Sequence, residues 1–499
     1  MTSEREIDTD VIIVGAGNAA MCAALAASDQ GAKAILLEAA PEEESGGNSR
    51  YTAGLFRLPY DDLDQLKRII PDLSEEEIRT TDFGQYRKED FYDDMARITQ
   101  YRANPDLVEL LVERAQDTAV WMRGHGVRFL PAYGRQAFKH EGKFKFWGGA
   151  HIEAAGGGPG LVESLTRAVV KKGMEIRYRT RARELIVEKG RAVGVVAVKD
   201  GIVQALRGRA VVLASGGFES NSEWRTRCLG PGWDLAKVRG TRFNMGDGIK
   251  MALDAGAMPY GNWSGAHSVG WDRNAPEFGD LAVGDNFQKH SYPFGIIVNA
   301  KGERFVDEGA DFRNYTYAKY GRAVLEQPGH FAWQVFDAKV THLLRDEYRI
   351  KQITKRSAQT LDALAKQLDD VDAEGFLREV TAFNAAVRTD IAFNPNVKDG
   401  RRTEGLRVPK SNWANPLDKP PFEAYAITCG VTFTFGGLRI DTEGRVLDTA
   451  GEIISGLYAA GELVGGLFYF NYPGGSGLVS GSVFGKIAGT GAGGLAKGA

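Results

Sequence analysis

The segment "DVIIVGAGNAAMCAALAA" most constrains the fold, because it joins a strand to a helix through a glycine turn. Asp10 to Val14 form a β-branched run, and Asn18 to Ala27 have apolar residues at helical spacing. Gly15 permits a sharp turn, and Gly17 permits close approach of the backbone to a pyrophosphate. The N-terminus of the helix would then offer its free N–H groups to the phosphates.

A second strand follows in "AILLE" and ends at Glu38. This carboxylate lies about 20 residues past the glycines, where it would accept hydrogen bonds from a ribose. Strand, turn, helix, strand and acid occur in the order of a dinucleotide-binding unit. The sequence therefore predicts an α/β dinucleotide-binding domain, and at this point both NAD and FAD remain open.

Length, charge and cysteine content limit the class of protein. The 499 residues predict two or three domains, since a domain has roughly 150 residues. A net charge of −3 gives no basic surface for nucleic acid or anionic lipid, so a small-molecule partner is expected. Cys22, Cys228 and Cys429 lie far apart, which predicts buried structural thiols and neither a disulfide framework nor a metal site.

The N-terminal "MTSEREIDTD" is polar and lacks an apolar signal-like region. No segment reaches the roughly 20 uninterrupted apolar residues of a membrane span. We therefore expect a soluble, cytoplasmic protein with no membrane span.

The middle of the chain divides into three kinds of pattern. Residues 61–126 are helical and charged, with a clear helix after Asn104-Pro105 that stops at Gly124. Residues 181–218 predict a β-meander followed by a buried strand, Ala210 to Ala214. Residues 263–428 are irregular and aromatic, with helices expected near 318–327, 337–347 and 372–388. Since short strands and a glycine-rich helix return afterwards, we predict a cofactor domain at 1–262 and 429–499 with an inserted substrate-capping domain at 263–428.

An ordered series of motifs carries a family resemblance: "VGAGNAA", "LLEAAP", "GGNSRYTAG", "VVLASGGF", "NMGDGIKMALDAGA", "GERFVDEG", "GLYAAGE" and "NYPGGSGLVSGSVFGKIAG". With them the chain resembles the fumarate reductase and succinate dehydrogenase flavoproteins, and among these the FAD-dependent tricarballylate dehydrogenases. The resemblance implies a discontinuous Rossmann-like FAD-binding domain of the glutathione-reductase type, of α/β class, with an α+β substrate cap.

The same resemblance implies a set of cofactor-binding residues. The glycine turn would hold the FAD pyrophosphate, Glu38 the adenosine ribose, the "GGNS" turn the flavin ring, and Glu462 the ribityl chain. Gly477 and Leu478 would meet the pyrimidine end of the flavin through backbone groups. The covalent histidine of succinate dehydrogenases is absent from "GGNSRYTAG", so non-covalent FAD is expected. The full set is Gly15, Gly17, Asn18, Ala19, Glu38, Gly47, Asn48, Ser49, Ala214, Gly216, Asp247, Glu462, Ser476, Gly477 and Leu478.

The resemblance also implies the residues of the reaction. Arg313 is similar to the family's proton-transferring arginine, although it lies one residue later, and His267 to a histidine that holds a substrate carboxylate. Fumarate reductases have His-His-Thr-Met-Gly-Gly where this chain has "TFTFGG", which makes Thr432 and Thr434 the candidate substrate contacts. Tyr472 replaces a second substrate arginine, and its Tyr-Pro-Gly setting resembles ketosteroid dehydrogenases, whose tyrosine polarises a ketone. The cap tyrosines Tyr292, Tyr315 and Tyr317 are further phenol candidates.

These features predict an FAD-dependent dehydrogenase or reductase acting on a CH–CH bond beside an electron-withdrawing group, with a tricarballylate-like substrate. Desaturation or reduction of a cyclic ketone is an alternative. A second alternative is a subunit that only transfers electrons. An enclosed substrate space above the flavin would argue against this electron-transfer role. A redox partner could reoxidise the flavin. Substrate, direction, electron acceptor and oligomeric state stay open.

Overall fold

The computed structural model describes residues 8–149 and 151–498; the predictions for the first seven residues therefore lie outside the described residues. The strands are β1 Thr9–Val14, β2 Ala34–Leu37, β3 Leu55–Phe56, β4 Thr81–Asp82, β5 Phe129–Pro131, β6 Ala137–His140, β7 Lys143–Phe146, β8 Ile152–Ala154, β9 Glu175–Arg177, β10 Thr180–Glu188, β11 Arg191–Lys199, β12 Ile202–Leu213, β13 Lys237–Val238, β14 Pro259–Asp272, β15 Ile296–Val298, β16 Phe331–Phe336, β17 Lys355–Ala358, β18 Phe422–Leu438, β19 Arg445–Leu447 and β20 Ile453–Ala459.

The helices alternate with these strands in the first and last parts of the chain. They are α1 Asn18–Asp29, α2 Leu63–Ile69, α3 Glu75–Thr80, α4 Lys88–Ile98, α5 Pro105–Gly124, α6 Tyr133–Gln136, α7 Gly157–Lys171, α8 Ser222–Leu229, α9 Asp247–Asp254, α10 Tyr317–Leu325, α11 Leu361–Ala365, α12 Ala373–Ala386 and α13 Ser476–Gly498. Within the described residues, no helix combines the length and the apolar character that crossing a bilayer requires.

A mostly parallel sheet with the order β10-β11-β20-β12-β1-β2-β9 forms the first layer of the structure. β1 pairs in parallel with β12 and β2, and α1 follows β1 directly. The glycines of α13 allow it to pack closely on α1, because a Cβ at Gly489 would lie 2.1 Å from the carbonyl oxygen of Ala23. The discontinuous Rossmann-like arrangement is thus built from both ends of the chain, as predicted.

Two local predictions are confirmed in detail. β10, β11 and β12 form the antiparallel meander, and β12 continues into the parallel sheet. α5 begins at Pro105, where the Asn104 side chain accepts hydrogen bonds from the N–H groups of Asp106 and Leu107, and it ends at Gly124. The Asn-Pro signal therefore marks this N-terminus because asparagine caps and proline fits the first helical position.

The cap is more regular than expected. Its sheet has the order β13-β18-β16-β15, with β14 and β17 also paired to β18. The two long strands β14 and β18 run antiparallel, and the proposed boundaries at 262/263 and 428/429 lie inside them. The three-part domain division stays a proposal, since these boundaries would cut through paired strands.

Two other expectations are wrong. The helix expected near 337–347 is replaced by short 3₁₀ turns at Thr341–Leu343 and Asp346–Tyr348. Between them Leu344 is extended and buried, and the Arg345 guanidinium donates to the carbonyl of Ala137, so tertiary contacts override the local helical pattern. Cys228 is half-buried, unlike the fully buried Cys22 and Cys429.

Candidate functional site

One cavity lies between the glycine turn after β1 and the sheet of the cap, and its wall contains every predicted site residue except Ser476. Ser476 is buried at the start of α13, where its hydroxyl donates to the Pro473 carbonyl at 2.5 Å. The Ser476 hydroxyl is already used within its own turn, and its contact with the cofactor stays a prediction.

The glycine turn shapes the first end of the cavity. Gly15 has φ +114°, and a Cβ there would lie 2.3 Å from the Ala214 carbonyl oxygen, so the turn and β12 are in direct backbone contact. α1 then begins after Gly17, which has no side chain to cap the helix, and the Ser49 hydroxyl accepts from the Asn18 N–H. A helix N-terminus in a cavity wall is a ready site for an anionic phosphate, so the structure fits a bound dinucleotide here.

Glu38 lies beside this turn and is almost fully buried. Its Oε1 accepts a hydrogen bond from the N–H of Ala40 at 2.8 Å, which fixes the carboxyl at the wall. Burial raises the pKa of Glu38, while backbone donors oppose that shift. This position suits the predicted contact with a ribose.

The "GGNS" turn is bonded to α1, to Glu219 and to β18. The Ser49 hydroxyl accepts a hydrogen bond from the N–H of Asn18 at 3.1 Å, which joins the turn to α1. Asn48 donates through Nδ2 to Glu219 Oε1 and to the Thr432 carbonyl, both at 2.6 Å. Several side chains therefore hold this turn in one orientation in the cavity wall.

Glu219 and Glu462 form a buried carboxyl pair next to this turn. Thr434 donates its N–H to Glu462 Oε1 at 2.9 Å, and Asn244 donates its amide to Glu219 Oε1 at 2.5 Å. Burial raises the pKa of both groups, and the charge of Glu219 raises the pKa of Glu462 further. Two buried carboxylates beside each other repel, which favours a proton on one of them. Sequence reasoning identified Glu462 and missed Glu219.

Asp247 lies at the start of α9 and is neutralised by Arg181. The guanidinium donates through Nε to Oδ2 at 2.5 Å and through Nη2 to Oδ1 at 2.8 Å. Both residues line the cavity. A cofactor contact by Asp247 remains a proposal, and the carboxylate already has a charged partner.

At the cap side, Tyr317 lies between two histidines. Its ring centroid is 4.9 Å from that of His267 and 4.8 Å from that of His290. Burial is the main cause that lowers the pKa of both histidines well below 6.5, and Arg239 adds to the effect. Both rings are therefore neutral at physiological pH. Of the three cap tyrosines considered, only Tyr317 lines the cavity, because Tyr292 and Tyr315 point elsewhere.

Arg313 begins a 3₁₀ turn, Arg313–Tyr315, and is buried in the cavity wall. Its Nη2 donates to the Arg135 carbonyl, and its Nε has no hydrogen-bond partner among the described residues. Burial lowers its pKa, and the nearby charge of Arg135 lowers it further, while Glu347 has the opposite effect. This arginine thus has a buried donor whose hydrogen-bonding capacity is unmet among the described residues.

A network around Arg239 was not foreseen. Its Nε donates to Asp285 Oδ1 at 2.7 Å, and its Nη1 donates to the Thr432 hydroxyl at 3.1 Å. Asp285 also pairs with Arg135 Nη1 at 3.4 Å. Arg239 lies in "KVRGTRFN", which matches no motif, so only the folded chain reveals that it faces the cavity. Gln288, Asn314 and Phe433 also line the cavity and were not predicted.

The Tyr472 hydroxyl lies at the N-terminal end of α13. It accepts hydrogen bonds from the N–H of Gly475 at 2.9 Å and from that of Gly477 at 3.3 Å. Because the oxygen serves as acceptor, the hydroxyl hydrogen remains available to donate. Gly477, predicted to meet the flavin through its backbone, contributes its N–H to this tyrosine in the present structure.

Residues 10–479 match the protein family described as "FAD binding domain". The chain belongs to this family. Over 492 residues it is 29% identical to the fumarate reductase (cytochrome) of Shewanella frigidimarina, covering 96% of this chain and 76% of the relative. It is 26% identical over 568 residues to the 3-oxosteroid 1-dehydrogenase of Mycobacterium tuberculosis, with 96% and 97% covered. The open conformation of a flavocytochrome c3 fumarate reductase matches with a TM-score of 0.74 and 26% identity, covering 99% of this chain and 79% of that one.

These similarities confirm the main sequence predictions. The chain is an FAD-dependent oxidoreductase acting on CH–CH groups, with the predicted Rossmann-like fold. FAD is its cofactor, and the N-terminus of α1 and the glycine turn fit it. Non-covalent attachment and the individual roles of the site residues stay predictions.

Proposed function

We propose that the chain oxidises or reduces a carbon–carbon bond next to carboxylate groups, with a tricarballylate-like polycarboxylate as the first substrate candidate. One observation supports this most strongly. Buried nitrogen atoms of Arg313, Gln288, His267 and His290 on the cap side of the cavity have no hydrogen-bond partner among the described residues. An unsatisfied buried donor costs about 1–3 kcal/mol, and a carboxylate offers only acceptors. A ligand with several carboxylates would accept hydrogen bonds from the donors among these groups, one N–H on each neutral histidine included.

The charges around the cap side also favour an anion. Arg135, Arg239 and Arg313 line the wall, and Asp285 is the carboxylate that pairs with two of them. Burial together with the charge of Arg313 lowers the pKa of the neighbouring Arg345 to about 9. Arg135 and Arg313 add positive charge beside Arg345 while Glu347 opposes it, and an anionic substrate would add negative charge to this wall.

The roles of the chain's own groups follow from these contacts. Bound FAD supplies the redox chemistry by accepting or giving a hydride. Arg313 would hold a carboxylate through Nε and move the proton at the adjacent carbon, because burial and Arg135 reduce the cost of its neutral form. The neutral His267 and His290 would each donate one N–H to the ligand. Tyr472 would donate its hydroxyl hydrogen.

A cyclic ketone is the second candidate. Tyr472 combines a phenol donor with two backbone N–H groups, and the wall near it is aromatic: Tyr317, Phe433, Phe435 and Phe468. A relative of comparable length is a 3-oxosteroid 1-dehydrogenase, which supports a ketone in this position. The electron-carrier alternative is disfavoured, since His267 and Arg313 share the wall of one cavity with the cofactor motifs.

Flavin absorbance tests the proposal. Oxidised holoprotein is mixed anaerobically with tricarballylate, succinate or a saturated 3-oxosteroid, and dithionite-reduced holoprotein with the corresponding unsaturated compounds. Bleaching by tricarballylate, or reoxidation by its unsaturated form, supports the polycarboxylate substrate. The trimethyl ester of tricarballylate is the matched control, because it keeps the carbon skeleton without charge. A response to the steroid alone would instead favour the ketone.

The electron acceptor would be a separate redox partner, and a cytoplasmic location stays a prediction.

A further inference from the structure

A buried ion pair outside the cavity joins Arg57, which directly follows β3, to Asp94 of α4. Arg57 is fully buried, and its Nη1 donates to Asp94 Oδ2 at 2.8 Å. Tyr86 reinforces the pair, because its hydroxyl donates to the same Oδ2 at 2.8 Å and accepts from Arg57 Nη1 at 2.7 Å. Neither Arg57 nor Asp94 lines the cavity, so the pair can affect a ligand only through other residues.

Asp94 contacts the segment of the cap that contains Arg313. Tyr315, two residues further along the same 3₁₀ turn, donates its hydroxyl to Asp94 Oδ2 at 2.6 Å. Arg97 donates through Nη2 to Asp94 Oδ1 and through Nη1 to Asp311 Oδ2, both at 2.9 Å. Asp94 therefore anchors this segment on both sides of Arg313.

Arg57 contacts the loop that contains Tyr472. Its Nε donates to the Gly474 carbonyl at 2.9 Å, and its backbone N–H donates to the Gly475 carbonyl at 3.0 Å. Gly475 in turn donates its own N–H to the Tyr472 hydroxyl. The position of this hydroxyl thus depends on a loop that Arg57 holds.

The two segments are also bonded directly to each other. The Gly474 N–H donates to the Asn314 carbonyl at 2.8 Å, and the Asn471 amide donates to the Tyr315 carbonyl at 2.8 Å. The ion pair, the cap turn and the loop before α13 consequently form one closed hydrogen-bonded ring. A displacement of one member must move the others.

We propose that Arg57 and Asp94 are positioning residues, which set the distance between Arg313 and Tyr472 across the substrate. This inference rests on the proposed function for the roles of Arg313 and Tyr472. Catalytic rates respond to displacements of about 1 Å, and groups on an irregular turn and a loop need external support to reach that precision. The ion pair supplies such support from the first third of the chain to both segments.

The test compares Tyr315→Phe with Tyr320→Phe in the FAD-loaded protein. Both phenols are 7% exposed and belong to the cap, but the Tyr320 hydroxyl donates to the Asp307 carbonyl and lies outside the ring. Tyr315→Phe should speed amide exchange in peptide 471–478 by about tenfold, since a hydrogen bond to a charged group is lost. It should lower kcat by about tenfold with KM and FAD content unchanged, whereas Tyr320→Phe should change neither exchange nor kcat.

Asp94→Asn is the second variant, because it keeps an acceptor for Tyr315 but loses the charge that holds Arg57. It should reproduce both effects. Equal exchange of peptide 471–478 in Tyr315→Phe and Tyr320→Phe would overturn the coupling, and faster exchange with an unchanged kcat would reduce the pair to a structural role. The exchange experiment needs no substrate, so accelerated exchange without turnover of any offered compound would refute the proposed function and leave the coupling in place.

Discussion

Substituting Gly15 by alanine should abolish FAD binding through a clash that can be measured from the structure. The new Cβ would lie 2.3 Å from the Ala214 carbonyl oxygen and 2.9 Å from its carbonyl carbon. The optimal separation of non-bonded heavy atoms is about 3.5–4.0 Å, so the turn and the end of β12 must move apart by roughly 1 Å. That movement displaces the N-terminus of α1, where the pyrophosphate is predicted to bind.

Gly31→Ala separates the cost of backbone strain from the cost of the steric clash. Gly31 also has a positive φ, +78°, but a Cβ there meets nothing within 4 Å. Gly31→Ala should therefore cost only the backbone strain of about 1–2 kcal/mol. Gly15→Ala adds overpacking against a backbone carbonyl, typically about 1–3 kcal/mol, for a total of about 2–5 kcal/mol.

The assay is the FAD content of desalted protein, read from its visible absorbance, together with the denaturant midpoint. We expect Gly31→Ala to keep its flavin and Gly15→Ala to emerge colourless with the larger stability loss. Full flavin content in Gly15→Ala, with a stability loss equal to that of Gly31→Ala, would refute the argument from close backbone contact.

Three further predictions concern the reaction and the carboxyl pair. Arg313→Ala should keep the flavin spectrum and lower turnover by roughly 10²–10⁴-fold, as for a positioned acid–base group; near-normal turnover would remove it from the mechanism. Tyr472→Phe should mainly raise KM with tricarballylate but lower kcat at least about tenfold with a cyclic ketone, because only the ketone develops charge at the phenol; initial-rate kinetics on both separates them. Burial raises the pKa of Glu219, so wild-type stability is lost as pH rises above the ordinary value of 4.5. Glu219→Gln should remove this loss and gain stability relative to wild type at alkaline but not acidic pH, measured as Tm against pH.

Local signals predicted several local structures, among them the glycine turn at the cofactor end of the site. The turn at Gly15, the capped start of α5 and the acid at the end of β2 are defined within a few residues, so chemistry and spacing reveal them. The segment at 337–347 shows the limit, since its helical pattern loses to contacts made by Arg345 with a distant carbonyl. Local propensity determines the secondary structure of a segment only where tertiary contacts do not compete with it.

Other contacts around the site are long-range, and no spacing could predict them. Glu219 acquires its role by meeting Glu462, more than two hundred positions later in the chain, and Arg57 by meeting a loop near the C-terminus. Neither residue belongs to a cluster in the sequence. Motif order could identify the segments that form the wall, but it could not identify which side chains from other segments complete their hydrogen bonds.

Thr432, in the "TFTFGG" segment where fumarate reductases have histidines, illustrates why such contacts matter for substrate class. From the sequence alone, the uncharged groups of this segment argue against fumarate itself. In the folded chain the Thr432 hydroxyl accepts a hydrogen bond from Arg239 Nη1, which leaves the threonine hydrogen available to donate. Arg239 is itself held by Asp285, so a positive group stands behind the threonine although it comes from a different segment. The chemistry of this wall therefore still suits a carboxylate. Thr432 would donate the hydrogen bond, and Arg239 behind it would supply the positive charge.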